Sequence, residues 1–203
     1  MLYPRSDAGV GDDRPCETAG KWLLLEHADA PDNVLVHAYA TVIGTCCDPH
    51  GYVFVPALGL ELSYFRALLA TCFPRFIAPH AWLAAQSSAP GGAGPLAEFP
   101  DLLHMLLDFR AADNQHHRCV AHLVACACMG SDHLWQDLGL PHRAALSALL
   151  AKHFPALAAK NTGDMKWKKF FYRQLCEREG FNACSAPNCA ACCDYNRCFA
   201  PEE

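Results

Sequence analysis

Asp113-Asn-Gln-His-His-Arg-Cys-Val-Ala-His-Leu-Val-Ala-Cys-Ala-Cys-Met-Gly130 opens on a helix-capping residue, places Val120, Leu123, Val124 and Ala127 three or four positions apart, and stops at glycine. That period puts the apolar side chains on one helical face, with Asp113 as the N-cap. The same signals recur outward along the chain. Thr18 to Ala28 reads as a helix around Trp22 to Leu25, and Asp32 can cap another running through Val34, Leu35, Ala38, Val42 and Ile43 to near Cys46. Leu60 to Cys72 carries Leu62, Phe65, Leu68 and Leu69 at helical spacing before Pro74, and Pro100 to Arg110 has proline in its first turn. Only Gly51 to Pro56 is β-branched and aromatic; it is short and ends at proline, so it reads as a loop or one lone strand. The expected fold is all-α, an irregular helical bundle followed by a C-terminal cysteine-rich metal-binding loop.

Composition divides the chain into a flexible N-terminus (1–17), a helical domain (18–180) and a cysteine-rich tail (181–203). Ser87-Ser-Ala-Pro-Gly-Gly-Ala-Gly-Pro95 reads as a linker inside the helical domain. At an offset of eighty residues His37 falls on His117, Cys46 on Cys126, and Leu58-Gly-Leu60 on Leu138-Gly-Leu140; each segment then ends in Leu-Leu, three residues and Phe-Pro, at Phe73-Pro74 and Phe154-Pro155. This pattern admits a degenerate duplication of a helical hairpin, although Leu, Ala, Gly and Pro recur in any helical protein.

With 203 residues, 52% of them hydrophobic and 18% charged, the chain can build a core and is too apolar for disorder. A net charge of −5 argues against a general nucleic-acid binder. The first thirteen residues lack a basic stretch followed by an apolar one, and no apolar run is long enough to span a bilayer, so a cytoplasmic protein off the membrane is expected. No Ser-His-Asp set, phosphate-binding glycine loop or dinucleotide fingerprint appears, and nothing here reads as an enzyme.

The tail holds Cys184, Cys189, Cys192 and Cys198 in the order Cys-x4-Cys-x2-Cys-x5-Cys. Polarisable thiolates select zinc, copper(I) and iron–sulfur centres over hard cations. Structural zinc sites usually join two short knuckles through a longer loop, whereas only Cys189 and Cys192 stand as a close pair here. The first three cysteines follow the spacing of plant-type ferredoxins, but the fourth arrives almost at once. Ala186, Ala190 and Ala191 would let backbone N–H groups approach bridging sulfides. Spacing alone places an iron–sulfur-type cluster first, zinc second and disulfides last, since thirteen cysteines in a reducing compartment cannot all pair.

Four stretches in unbroken order resemble the NifQ family: His133-Leu-Trp-Gln-Asp-Leu-Gly-Leu140; Phe154-Pro-Ala-Leu157 with Asn161; Met165-Lys-Trp-Lys-Lys-Phe-Phe-Tyr-Arg-Gln174 with Cys176; and Cys184-Ser-Ala-Pro-Asn-Cys189 onward to Cys198-Phe199. The resemblance covers roughly the last seventy residues, and the first 110 carry no motif of comparable weight. It implies a non-catalytic carrier that holds a mixed molybdenum–iron–sulfur cluster on Cys184, Cys189, Cys192 and Cys198. Such a carrier delivers molybdenum, which enters the cell as molybdate, into assembly of the nitrogenase iron–molybdenum cofactor, with the NifEN scaffold and the NifH protein as partners. The alternatives are an electron-transfer iron–sulfur protein and a zinc-stabilised interaction module.

Other residues admit both a functional and a structural reading. Cys176 is a candidate fifth thiolate or a small buried hydrophobe, and Cys193 is a spectator beside Cys192. His133 is a candidate for molybdenum capture or a packing histidine beside Ser131 and Asp132, either of which can cap the short helix ending at Gly139. Cys119, His122 and Cys126 share one helical stripe, which suits a second metal or plain packing. Trp167, Phe170, Phe171 and Leu175 form an apolar stripe on a helix from Met165 to Glu179, against which the tail is expected to fold. Lys166, Lys169 and Arg173 lie on another side, a solvated face or a docking surface for an acidic partner.

Overall fold

The computed structural model describes residues 19–45, 55–86, 98–178 and 199. Among them run ten α-helices and no strand: α1 (Ala19–Glu26), α2 (Val34–Thr45), α3 (Leu62–Cys72), α4 (His80–Gln86), α5 (Phe99–Asp108), α6 (Gln115–Cys128), α7 (Leu134–Asp137), α8 (Arg143–His153), α9 (Pro155–Ala158) and α10 (Trp167–Arg178). The linker at 87–95, the N-terminal segment and all of the tail except Phe199 lie outside the described residues, as do positions 51–54 of the candidate strand. Its end, Val55, leads into a single 3-10 turn, Pro56–Gly59.

The helix made by the opening stretch is the centre of the molecule. Cys119 to Ala121 and Leu123 to Cys128 are all buried, so α6 is covered on nearly every side, as expected of a helix apolar all round. It packs against α5, α2, α7 and the 56–59 turn. Small residues permit this closeness. On the opposite hairpin, α1 and α2 meet at Gly20 and Gly44, where a Cβ on Gly20 would stand 2.7 Å from the Gly44 carbonyl oxygen.

Two caps fall one residue later than the sequence suggested. Asn114 is the N-cap of α6, accepting from the His117 N–H at 2.9 Å, while Asp113 is drawn into ion pairs with Arg110 and Arg118 at 2.8 and 2.7 Å. Asn33 likewise accepts from the Leu35 N–H at 2.9 Å, in place of Asp32. In each Asp-Asn pair the second residue stands at the helix entrance, and only its side chain reaches the free N–H groups.

Two pairs of positions related by the eighty-residue pattern have similar backbone geometry. Helices α3 and α8 each span eleven residues and end in a fully buried phenylalanine of nearly equal backbone angles, Phe73 at φ −135, ψ 62 and Phe154 at φ −137, ψ 57. The preceding turns carry Gly59 at φ +70 and Gly139 at φ +64, each beside a buried leucine. They are also exchanged between halves. The Leu58 carbonyl meets the His122 ring of α6 at 2.9 Å, and Gly139 lies against Thr41 and hydrogen-bonds His37 of α2.

Candidate metal centre

The segment 159–166 and α10 precede the cysteine tail in sequence, and the start of α8 packs on them. Asn161 clamps the chain just before α10 by accepting from the Met165 N–H at 2.9 Å and donating to the Met165 carbonyl at 2.8 Å. Arg143, from the start of α8, donates to the carbonyls of Asp164 and Met165 and pairs with the Asp164 carboxylate. Asp164 sits at φ +52, a left-handed conformation held by these contacts. Trp167, Phe170 and Phe171 point into the core, and the Trp167 indole N–H donates to Ser147 Oγ at 3.0 Å.

This bracing leaves a cleft of about 630 Å³ whose walls include Lys160, Asn161, Gly163, Met165, Phe170, Arg173, Gln174 and Glu177. Phe199, which directly follows Cys198 in sequence, forms part of its wall and packs against the core; a Cβ on Gly163 would lie 3.3 Å from its ring. The aromatic ring at the end of the cysteine array is thus seated on the segment preceding α10.

The cluster candidates Cys184, Cys189, Cys192 and Cys198, with their neighbour Cys193, lie outside the described residues. Cys176 is a free, half-buried thiol on α10 and is not among the residues lining the cleft. His133 is itself the N-cap of α7, its N–H donating to the Gln136 side-chain oxygen at 3.1 Å, so neither Ser131 nor Asp132 fills that place. Of the basic stripe, Lys169 is exposed and Lys166 half-buried, while Arg173 lines the cleft and pairs with Glu177 at 2.8 Å. The candidate stripe Cys119, His122 and Cys126 does not converge, and no group of three metal-ligating side chains with coordinating geometry occurs among the described residues. Burial pushes the Cys119 thiol up, a Gln115 amide donates to its sulfur, and the His122 ring is taken by Leu58. Cys128, pushed up to about 12 by burial, is likewise a neutral core thiol.

Sequence reasoning missed Lys168. It stands between the two lysines of the candidate docking face, yet its ammonium turns inward to the Gly130 carbonyl and the Asp137 carboxylate. Both side chains of this pair are largely buried. Burial pushes the Asp137 carboxyl up, and Lys168 draws it back down. The only signal was the presence of Asp137 and Lys168 in two of the recognised motifs.

The family model described as NifQ matches residues 38–200. The chain belongs to the NifQ family. Protein NifQ of Azotobacter vinelandii is 40% identical over 161 residues, covering 71% of this chain and 78% of the relative. Protein NifQ homolog of Sinorhizobium fredii is 40% identical over 151 residues, 72% of this chain and 62% of the relative. Protein NifQ of Rhodobacter capsulatus is 47% identical over 85 residues, 42% of this chain and 47% of the relative. No solved structure matches the chain. The likeness therefore begins well before the last seventy residues and takes in most of the helical body. All four tail cysteines fall inside the matched range.

Proposed function

We propose that this chain carries a molybdenum–iron–sulfur cluster as cargo on Cys184, Cys189, Cys192 and Cys198 and gives up its molybdenum during assembly of the nitrogenase iron–molybdenum cofactor. The observation that carries the reading is a four-thiolate array lying inside the NifQ match and ending, in sequence, next to Phe199, which lines the cleft beside α10 and packs against the core. Four soft ligands within fifteen residues suit one compact sulfur-bridged centre. Carriage without catalysis is the role that follows. The thiolates hold the cargo, Phe199 tethers the array to the body, and Arg143 and Asn161 keep the seat of that tether in place.

Release requires the ligands to be exchanged for those of an acceptor, which four thiolates on one short segment can do without unfolding the helical core. The acceptors implied by the family resemblance are the NifEN scaffold and the NifH protein. Lys166 and Lys169 offer positive charge beside the cleft for an acidic acceptor surface.

The test is to load the anaerobically purified chain with molybdenum, iron and sulfide, remove free metal, and measure cofactor assembly on the scaffold with no other molybdenum source. Cofactor formation proportional to the chain added is expected. A chain that holds iron and sulfide but delivers no molybdenum is an electron-transfer protein, and one that holds only zinc is an interaction module; either result overturns the proposal.

A further inference from the structure

One face of α1 borders a groove rather than another helix. Gly20, Leu23, Leu24 and His27 follow one another at i, i+3, i+4 and i+7, a stripe about 10 Å long, and form one side of an apolar groove of about 430 Å³. Phe76 and Trp82 stand on the other side with their rings edge to face at 5.9 Å, and Trp82 is backed by Phe65 of α3, also at 5.9 Å. Leu23 is 47% exposed, and Ile77, which also lines the groove, is 89% exposed. Contiguous apolar surface of this kind marks a place that another molecule covers.

The two polar side chains in the groove are already engaged. The His27 ring nitrogen Nδ1 meets the Leu23 carbonyl at 2.8 Å, while Arg75 donates to the Ala28 carbonyl at 2.7 Å and pairs with Asp29 at 3.3 Å. A small-molecule site orients its ligand by a few convergent polar groups, and these two have their partners within the chain. The second half of the chain shows what such a face accepts. There α5 begins eighty residues after α1, and α10 follows α8 as α4 follows α3. Trp82 of α4 rests on Phe65, eight residues before Phe73; Trp167 of α10 donates to Ser147, seven residues before Phe154. Helix α10 has twelve residues, buries Trp167, Phe170 and Phe171, and packs directly on α5. Helix α4 has seven residues and, among the described residues, does not close on α1 in this way; the groove lies between them.

We propose that this groove is a docking site for an amphipathic helix of a partner protein, one that carries aromatic side chains at the i, i+3 and i+4 spacing of Trp167, Phe170 and Phe171. Two turns of the partner helix lie along α1 from Gly20 to His27, and its apolar side chains enter between α1 and α4, covering Leu23 and Ile77. The surface shares no residue with the cleft beside α10 and does not depend on the cargo proposed for the tail.

The test uses the full chain, purified anaerobically, with carbon-13 in its Leu and Ile methyl groups. The probe is a helical peptide with the sequence of residues 165–178 carrying Cys176→Ser, stapled on its polar face, beside a peptide of the same composition in scrambled order. The methyl signals of Leu23, Leu24 and Ile77 should shift together and saturate at one equivalent of the first peptide, and the scrambled one should bind about tenfold more weakly or worse. Leu23→Gln and Ile77→Ser change exposed side chains and spare the core, so the double variant should keep its circular dichroism and lose about tenfold in affinity for the first peptide. Unmoved methyl signals, equal affinity for the two peptides, or undiminished binding in the double variant would overturn the site. A chain that dimerises through this face, seen as a dimer mass that falls to the monomer in the double variant, would assign the groove to a second copy and overturn the partner helix.

Discussion

Lys168 reaches from the first turn of α10 to the Gly130 carbonyl and the Asp137 carboxylate, joining two motifs thirty-one residues apart. Removing one member strands the other as a buried charge. Lys168→Met should therefore cost about 3–5 kcal/mol in urea unfolding, and Lys168→Met with Asp137→Leu should recover much of it, because the cost lies in the stranded carboxylate. A double variant no more stable than the single one would contradict this. His153 makes a second residue-scale prediction. Its pKa is held at about 4, against 6.5 for the ordinary imidazole, by burial first and then by His116, His117 and Lys152. Between these values the unfolded chain takes up a proton that the folded chain refuses. The stability is complete above about pH 6.5 and falls as pH drops toward 4, and His153→Gln should flatten that part of the urea-midpoint profile. Equal slopes for wild type and variant would refute the assignment.

At the scale of the element, the brace before α10 matters most, because it forms the seat of Phe199. Asn161→Ala removes both side-chain hydrogen bonds to Met165 and should destabilise the fold by about 1–3 kcal/mol. The same change should shift the thermal midpoint and make Phe199 easier to displace, read as faster proteolysis after residue 178. Helices α4, α8 and α9 were not read, but the other seven of the ten, α1 to α3, α5 to α7 and α10, were legible in the sequence because apolar spacing and caps act locally, as Val120, Leu123, Val124 and Ala127 show by their burial. The identity of each cap was not, since Asp-Asn pairs offer two suitable side chains and the choice depends on where Arg110 and Arg118 draw Asp113. The turn at Ala57 and Leu58 was also hidden. Both residues adopt left-handed angles that their side chains disfavour, and the Leu58 carbonyl is bound by a histidine sixty-four positions away. The contact of His153 with His116 and His117, ring centroids 5.3 Å apart, escaped for the same reason, since nothing local links them.

For the molecule as a whole, the proposed division of labour is a helical body that positions and a cysteine tail that carries. No helix among the described residues is long and apolar enough to cross a membrane. If Lys166 and Lys169 face an acidic acceptor, Lys166→Glu with Lys169→Glu should leave bound iron and molybdenum unchanged while slowing molybdenum transfer, and wild-type transfer should weaken with rising salt. Arg173 is left out of that variant because a glutamate there would stand against Glu177 and disturb α10 itself. Transfer unaffected by the reversal would return both lysines to a solvated face. The four-cysteine array stands out in the sequence because soft thiolates at short intervals have few other uses, whereas the braces from Arg143 and Asn161 before α10 do not, because they arise only in the folded chain. The most direct measurement is the molybdenum X-ray absorption spectrum of the anaerobically purified chain, taken for wild type and for Cys184→Ala, Cys189→Ala, Cys192→Ala, Cys198→Ala and Cys193→Ala. The expected result is molybdenum surrounded by sulfur and iron in wild type and Cys193→Ala, with molybdenum and iron lost together in the other four. Molybdenum with oxygen neighbours alone, or equal metal content in all five variants, would contradict it.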